Sequence, residues 1–592
     1  MTVTATIQKP RKRPSKKGQA KRKVVPSFVQ WRFVVVLVVV LAVFAALASR
    51  AAYIQVIQPD YLIEHGDNRT IRVRDIPSYR GQISDRNGQS LAVSVPAQAI
   101  YADPKRISEN NGFADMRLWQ ALAEVLDTNV DDLVARVDNP KNRFIYLQRQ
   151  VTPAMASYVK KLKIPGVYLR NEAKRYYPAG EVSAHVIGFT DVDDVGLEGI
   201  ERLYNQWLTG TPDKRKIRRD AKNRQVEIME QEAGKKAKDV SLTIDQRIQA
   251  LAYREIKEAT VLYQAASASV IIVDVHTGDI LAMANTPSYN PNNRSTVSSY
   301  RVRNRAITDA YEPGSALKPM AIIAALENGS FQADSTIDTS PGWKRLGGSR
   351  IEDSRNYGEI SITEVIKFSS NMGTSAMALS MPKEVLIDFY YNMGLMSDTG
   401  INMVGESDGI FHERPRWSDH EISSLSFGYN ISVTTAQLAR MYATIANGGM
   451  KRPLNIVQNM TPTLEPERVM SEETAHAVLM MMETVTQDGG SGTSAAVPGY
   501  RVAGKTGTSR KADVGGYGEA YVNIFAGIAP VSDPQIAVVV LINEPAGDLY
   551  YAGETAAPVF SKIVSNTMQM LNVPPDAMTV DIVLESQLHA SR

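Results

Sequence analysis

Residues 33–49 read FVVVLVVVLAVFAALAS, a run without a charge. A helix apolar on every face has no side to turn to water, so it belongs inside a large core or a bilayer. The 32 residues ahead of it carry ten Lys or Arg and no Asp or Glu, a flank that fits a membrane anchor. The run is short for a spanning helix, but apolar character resumes after Arg50 through Ala51, Ala52, Tyr53, Ile54, Val56 and Ile57. The anchor is therefore expected over 33–57, with Arg50 reaching toward the headgroups. Ala46-Leu47-Ala48 also fits a signal cleavage pattern, yet the run exceeds the ~7–15 residue apolar core of a signal peptide. The positive-inside rule puts residues 1–32 in the cytoplasm and the body across the membrane. No second long apolar run follows, so a single crossing is expected.

Removing the basic head leaves 56 basic against 63 acidic residues. A mildly acidic body argues against nucleic-acid binding. There is no cysteine, which excludes disulfides and thiolate metal sites. The seven histidines are scattered, with no His-x-x-x-His pair, so no metal is expected and no cofactor is indicated. His185 is expected to serve a structural hydrogen bond.

A chain of 592 residues holds two to four domains at roughly 100–200 residues each. The head, rich in Lys, Arg, Pro and Ser, is expected to be disordered. Residues 58–235 read as an irregular module of short strands, turns and helices, in which Arg86-Asn87-Gly88 marks a hairpin. The charged stretch from Asp213 to Val240 reads as an exposed connector with hairpin content. A second module, 236–572, opens with a helical pattern at 250–264 and a hairpin, Val270–Val275 turning at 276–279 into Ile280–Ala284. Helical patterns dominate 315–495. Three strand-like runs and a helix near Thr555–Leu571 close it, and 573–592 read as a tail. Strands at both ends with helices between predict an α/β or α+β module whose sheet is built from its two termini.

Three motifs fall inside this second module: Ser315-Ala316-Leu317-Lys318, Ser369-Ser370-Asn371 and Lys505-Thr506-Gly507-Thr508. Each alone is weak, since Ser315 reads equally as a helix cap and Lys505-Thr506-Gly507 as a strand edge. In this order, in one module, they match the motif set of serine acyltransferases. Pro313-Gly314 breaks the chain, so a helix is expected to start near Ser315. Residues i and i+3 then share a face, which brings the Lys318 amine toward the Ser315 hydroxyl. A serine needs a base, and a lysine is one only if its pKa falls through burial or a neighbouring cation. Lys505 is expected to be that cation and Ser369 a proton relay. Asn371 is expected to orient Lys318 and hold a substrate amide. Gly507 would let a substrate backbone approach the strand. The N–H groups of Ser315 and Thr508 would form an oxyanion hole, and the Thr506 and Thr508 hydroxyls would bind a carboxylate beside Lys505.

The chain resembles a class B penicillin-binding protein of the septal type. The resemblance rests on RGQISDRNGQSLA and RYYPAGEVSAHVIGFTDVDDVGLEGIE in the first module. In the second it rests on IIVDVHTGDILAMANTPSYNPNN, RNRAITDAYEPGSALKPMA, KFSSNMGTSAMAL, SFGYNISVTTAQLARMYATIANGG and GYRVAGKTGTSRK. It implies a non-catalytic pedestal of the dimerisation type. A transpeptidase domain would follow, with a central antiparallel sheet flanked by helices and a helical subdomain. It further implies acylation of Ser315 by D-Ala-D-Ala stem peptides or β-lactams, and cross-linking of nascent glycan strands at the division septum. Arg80, Gly81, Asp85, Arg86 and Gly88 would brace the module junction. Nothing resembles a glycosyltransferase, so a membrane glycosyltransferase and other division-complex proteins are the implied partners, with the bilayer. Ser370 stands where class A β-lactamases carry Asp, and no deacylating Glu is matched, which disfavours a β-lactamase. An elongation-type transpeptidase, a membrane-tethered β-lactam sensor and a division scaffold are the competing readings.

Overall fold

The computed structural model describes residues 30–577 apart from 77–78, 221–223, 296, 460–464, 514–515 and 548. The expected disordered head up to residue 29, and residues 578–592 of the expected tail, lie outside the described residues. The chain divides into two units, residues up to Ile76 with Lys214–Glu232, and the remainder.

In the first unit α1 (Gln30–Ala52) runs on through a π-helical turn at Tyr53–Ile57. The resulting 28-residue helix has a mean hydropathy of 2.7 at its most apolar and none of that stretch is buried. At 1.5 Å per residue it is about 42 Å long, enough for the ~30 Å hydrocarbon layer. Arg50 lies over the Tyr53 ring, 5.5 Å from its centroid. The charged connector forms an antiparallel hairpin, Asp213–Arg219 with Gln225–Glu232, sheeted with Ile71–Ile76. Its register sets Lys214 opposite Glu232, Lys216 opposite Glu230 and Arg218 opposite Glu227. Opposite charges paired across the ladder stabilise an otherwise exposed hairpin.

The second unit begins with a sheet of five strands. Strand β1 (Ile83–Ser84) turns at Gly88, φ +82°, into the long β2 (Ser90–Ala102). Strands β3 (Ile145–Val151) and β4 (Val167–Tyr176) pair with β2, and β5 (Val240–Ser241) runs parallel to β1. Three short helices fold around Trp119 and bury Ile100, Ala102, Leu122, Leu133 and Val159.

Arg80 and Arg175 clasp one carboxylate: Arg80 Nε lies 2.5 Å and Arg175 Nε 2.7 Å from the two oxygens of Glu201, all three side chains buried. Gly81 is obligatory, since a Cβ there would fall 2.0 Å from Lys238 O. Asp85 accepts from the backbone N–H of Asn87 (2.9 Å), Gln89 (2.7 Å) and Gln246 (3.1 Å). Arg86 N–H donates to Ile244 O. The Arg80–Gly88 motif thus grips the entry to α2 (Gln246–Leu262), whose own cap is Asp245.

The sheet that follows has the order β7-β6-β10-β9-β8, antiparallel throughout. Strand β6 is Ser267–Asp274, β7 Ile280–Thr286, β8 Ala503–Asp513, β9 Gly516–Ala529 and β10 Ile536–Asn543. Alternate residues enter separate cores. Ile271, Val273, Val539 and Leu541 join one face, and Val270, Ile272, Val538 and Val540 the other. Both faces are dry, which is why these strands read as unbroken apolar runs. On one face lie α3 (Lys318–Glu327), α4 (Asn371–Leu379) and α5 (Thr435–Ala446); on the other α2 packs with α6 (Ala552–Met570). The sheet joins both ends of the module around an inserted helical region.

His185 bonds Arg301 O through Nε2 at 2.8 Å, and burial pushes its imidazole down to about 4. Residues 573–577, where a tail was expected, are tied down. Tyr500 OH donates to Val573 O at 2.7 Å, and Asp576 accepts from Arg501 N at 2.7 Å and Ser532 Oγ at 2.8 Å.

Glu201→Ala leaves two buried guanidinium groups without their shared anion. It is expected to cost about 3–5 kcal/mol, read as a loss of several degrees in Tm.

Candidate active site

Ser315 sits in a 3-10 turn, Gly314–Leu317, and α3 begins at Lys318. The 3-10 geometry still stacks i over i+3, so both residues look toward the same side. The turn is held from three directions. Ser509 Oγ of β8 donates to Glu312 O at 2.7 Å, Gly314 N–H donates to Gly428 O at 3.1 Å, and Tyr442 OH of α5 donates to Ala316 O at 2.8 Å. The approach is tight enough to require glycine at two places. A Cβ on Gly507 would lie 2.4 Å from Pro313 O, and one on Gly428 would lie 2.1 Å from Gly314 O. The bare α-carbon of Gly507 faces the turn that carries Ser315.

Lys318 is fully buried. Its amine donates to the Ser369 carbonyl and, at 3.1 Å, to Ser369 Oγ. It makes no hydrogen bond to the Ser315 hydroxyl, and Ser369 orients it. Ser369 reaches it from a left-handed backbone, φ +62°, unusual for a non-glycine residue and typical of active sites. Burial drives the Lys318 amine down to about 7, against the opposing pull of Asp353. Lys505 is also fully buried, and its amine is lowered well below the usual lysine value by burial first and by Lys318 second. Burial is the main cause for both amines, and the two lysines disfavour each other's charge.

Asn371 differs as well. Its side-chain amide donates to Glu352 O at 2.9 Å, and it makes no hydrogen bond to Lys318. The motif is held by Asp353, which the sequence reading missed. Asp353 accepts from Ser370 Oγ (2.5 Å), Asn371 N (2.5 Å) and Met372 N (3.0 Å), so a carboxylate caps the first turn of α4 beside Ser370, its N-cap. Nothing local in RIEDSRNYG marks that role. Gly428 and Tyr442 do lie within SFGYNISVTTAQLARMYATIANGG, but no residue type there announces contact with the serine turn.

On β8, Lys505 Nζ donates to Thr506 O and Thr506 Oγ1, each at 3.2 Å. Thr508 Oγ1 accepts from Ala552 N at 3.0 Å, so this hydroxyl caps α6 while its proton remains free for an incoming group. Ser315, Ser369 and Thr508 are partly exposed, whereas both amines are dry.

A serine on a clamped turn, a desolvated amine bonded to a second serine, and an adjoining edge strand are the parts a serine acyltransferase requires. The penicillin binding protein transpeptidase domain matches residues 268–565 and the penicillin-binding protein dimerisation domain residues 75–242. The chain belongs to the penicillin-binding protein transpeptidase family. It is 45% identical over 581 residues to peptidoglycan D,D-transpeptidase FtsI of Escherichia coli (strain K12), covering 98% of this chain and 97% of that one. It is 36% identical to probable peptidoglycan D,D-transpeptidase PenA of Neisseria meningitidis serogroup B, covering 96% and 97%. It also superposes on the crystal structure of penicillin binding protein 3 from Mycobacterium tuberculosis complexed with aztreonam, with a TM-score of 0.65 at 27% identity over 86% of this chain and 98% of that one.

Two outcomes are expected. Gly507→Ala should displace the serine turn and slow acylation by a penicillin about 10²-fold, measured by stopped-flow with a fluorescent penicillin. The acylation rate should fall with pH below about 7, because a protonated Lys318 amine has no lone pair to take the serine proton, and level off above it. A rate flat between pH 5.5 and 8.5 would contradict this.

Proposed function

We propose that the chain is a peptidoglycan D,D-transpeptidase that cross-links wall stem peptides at the division septum. The carrying observation is the dry Lys318 amine, bonded to Ser369 three residues after Ser315 in the chain's first motif. In this reading Ser315 Oγ attacks the carbonyl between the two D-Ala residues of a donor stem. Lys318 takes the hydroxyl proton, and Ser369, bonded to that amine, passes a proton to the departing D-Ala amine. The N–H groups of Ser315 and Thr508 hold the oxyanion. Lys505, Thr506 and Thr508 hold the terminal carboxylate. An amine from a neighbouring stem then takes the acyl group and frees Ser315. A β-lactam enters by the same attack, but its ring-opened product keeps the would-be leaving amine attached. Asn371, turned to Glu352 O, shapes the groove wall.

The domain scheme in this reading is a basic head (1–32), an anchor (33–57), a pedestal (58–235), a transpeptidase domain (236–572) and the remaining residues. The head is cytoplasmic and the catalytic domain periplasmic in the inner membrane of a bacterium, enriched at the division site. A membrane glycosyltransferase and other division proteins supply strands and placement. The basic head ahead of α1 supports the orientation, and the extent of likeness to FtsI supports the septal role.

The test is the intact mass of the full-length chain in detergent after exposure to a penicillin. One adduct per chain, persisting for many minutes and absent from Ser315→Ala, is expected. Rapid release with drug hydrolysis would point to a β-lactamase, and an adduct on Ser315→Ala would sink the assignment of the nucleophile.

A further inference from the structure

The loop before β8 brings Ser491 to the Lys-Thr-Gly strand. Thr506 Oγ1 accepts from Lys505 Nζ at 3.2 Å and donates to Ser491 Oγ at 3.3 Å. Thr506 has one hydroxyl proton, and this geometry commits it to Ser491. Ser491 keeps its own proton: its hydroxyl finds no acceptor among the described residues and is partly exposed. The three groups form a chain with one direction, amine to threonine to serine, in which each donor polarises the next.

The loop is fixed rather than loose. Ser491 N–H donates to Lys367 O at 3.2 Å. The next residue, Gly492, lies against Phe525 so closely that a Cβ would fall 2.9 Å from the ring. At the start of α6, a Cβ on Gly553 would fall 2.9 Å from Ser491 O. A serine held on three sides, with an oxygen lone pair already engaged by Thr506, presents a donor to whatever lies along the strand edge.

We propose that Ser491 is a binding residue that donates its hydroxyl to the terminal carboxylate of the stem peptide, as the last donor of the chain that runs from Lys505 through Thr506. This rests on the transpeptidase reading above. The carbonyl of a neutral ester accepts a weaker hydrogen bond than a carboxylate does, so Ser491 is also specificity-determining: it favours an acid over its ester.

The test uses the full-length chain in detergent with a penicillin and its methyl ester, separating the non-covalent constant Ks from the acylation rate constant. Ser491→Ala is expected to raise Ks for the free acid about tenfold, the loss of one hydrogen bond to a charged group. The preference for acid over ester should fall by the same factor, and Ser491→Thr should restore both. An unchanged Ks in Ser491→Ala, or equal losses for acid and ester, would overturn the proposal. Failure of the parent chain to form any adduct would instead overturn the underlying reading, and the proposal with it.

Discussion

The close approach of β8 to the turn that carries Ser315 is the contact on which the rest of the site depends. Two glycines, Gly507 and Gly428, make room for it, and Ser509 and Tyr442 lock it with hydrogen bonds. Docked this way, the turn closes over Lys318 and β8 places Lys505 in the same dry interior. Were the turn to lift, water would reach both amines and their proton affinities would return toward those of ordinary lysines. The placement of Ser315 and the dryness of both amines are therefore one structural fact.

Two buried amines are costly unless they shed charge or find acceptors. Lys318 has the Ser369 carbonyl and hydroxyl, and Lys505 has Thr506. Asp353 moderates the site: it lies close enough to favour the charged form of Lys318, yet its oxygens are spent on the first turn of α4. Both amines hold a proton less tightly than an exposed lysine, and Ser369 is bonded to that of Lys318.

Much of this was legible in the sequence, because the legible parts are local. The hairpin at 276–279, the strand runs at 503–543, the helix near 555–571 and the anchor all have their cause within a few neighbouring residues. The three motifs could be placed because their spacing is diagnostic. What escaped was long-range. The direction of the Asn371 amide is set by Glu352 O, the function of Gly507 by Pro313, the capping of α4 by Asp353, and the anchoring of 573–577 by Arg501 and Ser532. None of these partners is close in sequence, so no periodicity or turn signal encodes them. The extent to which burial lowers both lysines escaped for another reason: desolvation is a property of the packed interior, and a sequence shows only that the charges exist.

Thr508 caps the first N–H of α6, and β10 lies between β6 and β9. The catalytic sheet can therefore close only when the last strand and helix of the module have arrived. At about 5–20 residues per second of synthesis, the stretch between Ser315 and Ala552 takes on the order of 10–50 s to emerge. Throughout that interval Ser315 has no docked strand and Lys318 no dry environment, so the nascent chain carries an inert serine. Reactivity switches on as a completion event. A chain cut short before β10 would lack the strand that joins β8 and β9 to the rest of the sheet.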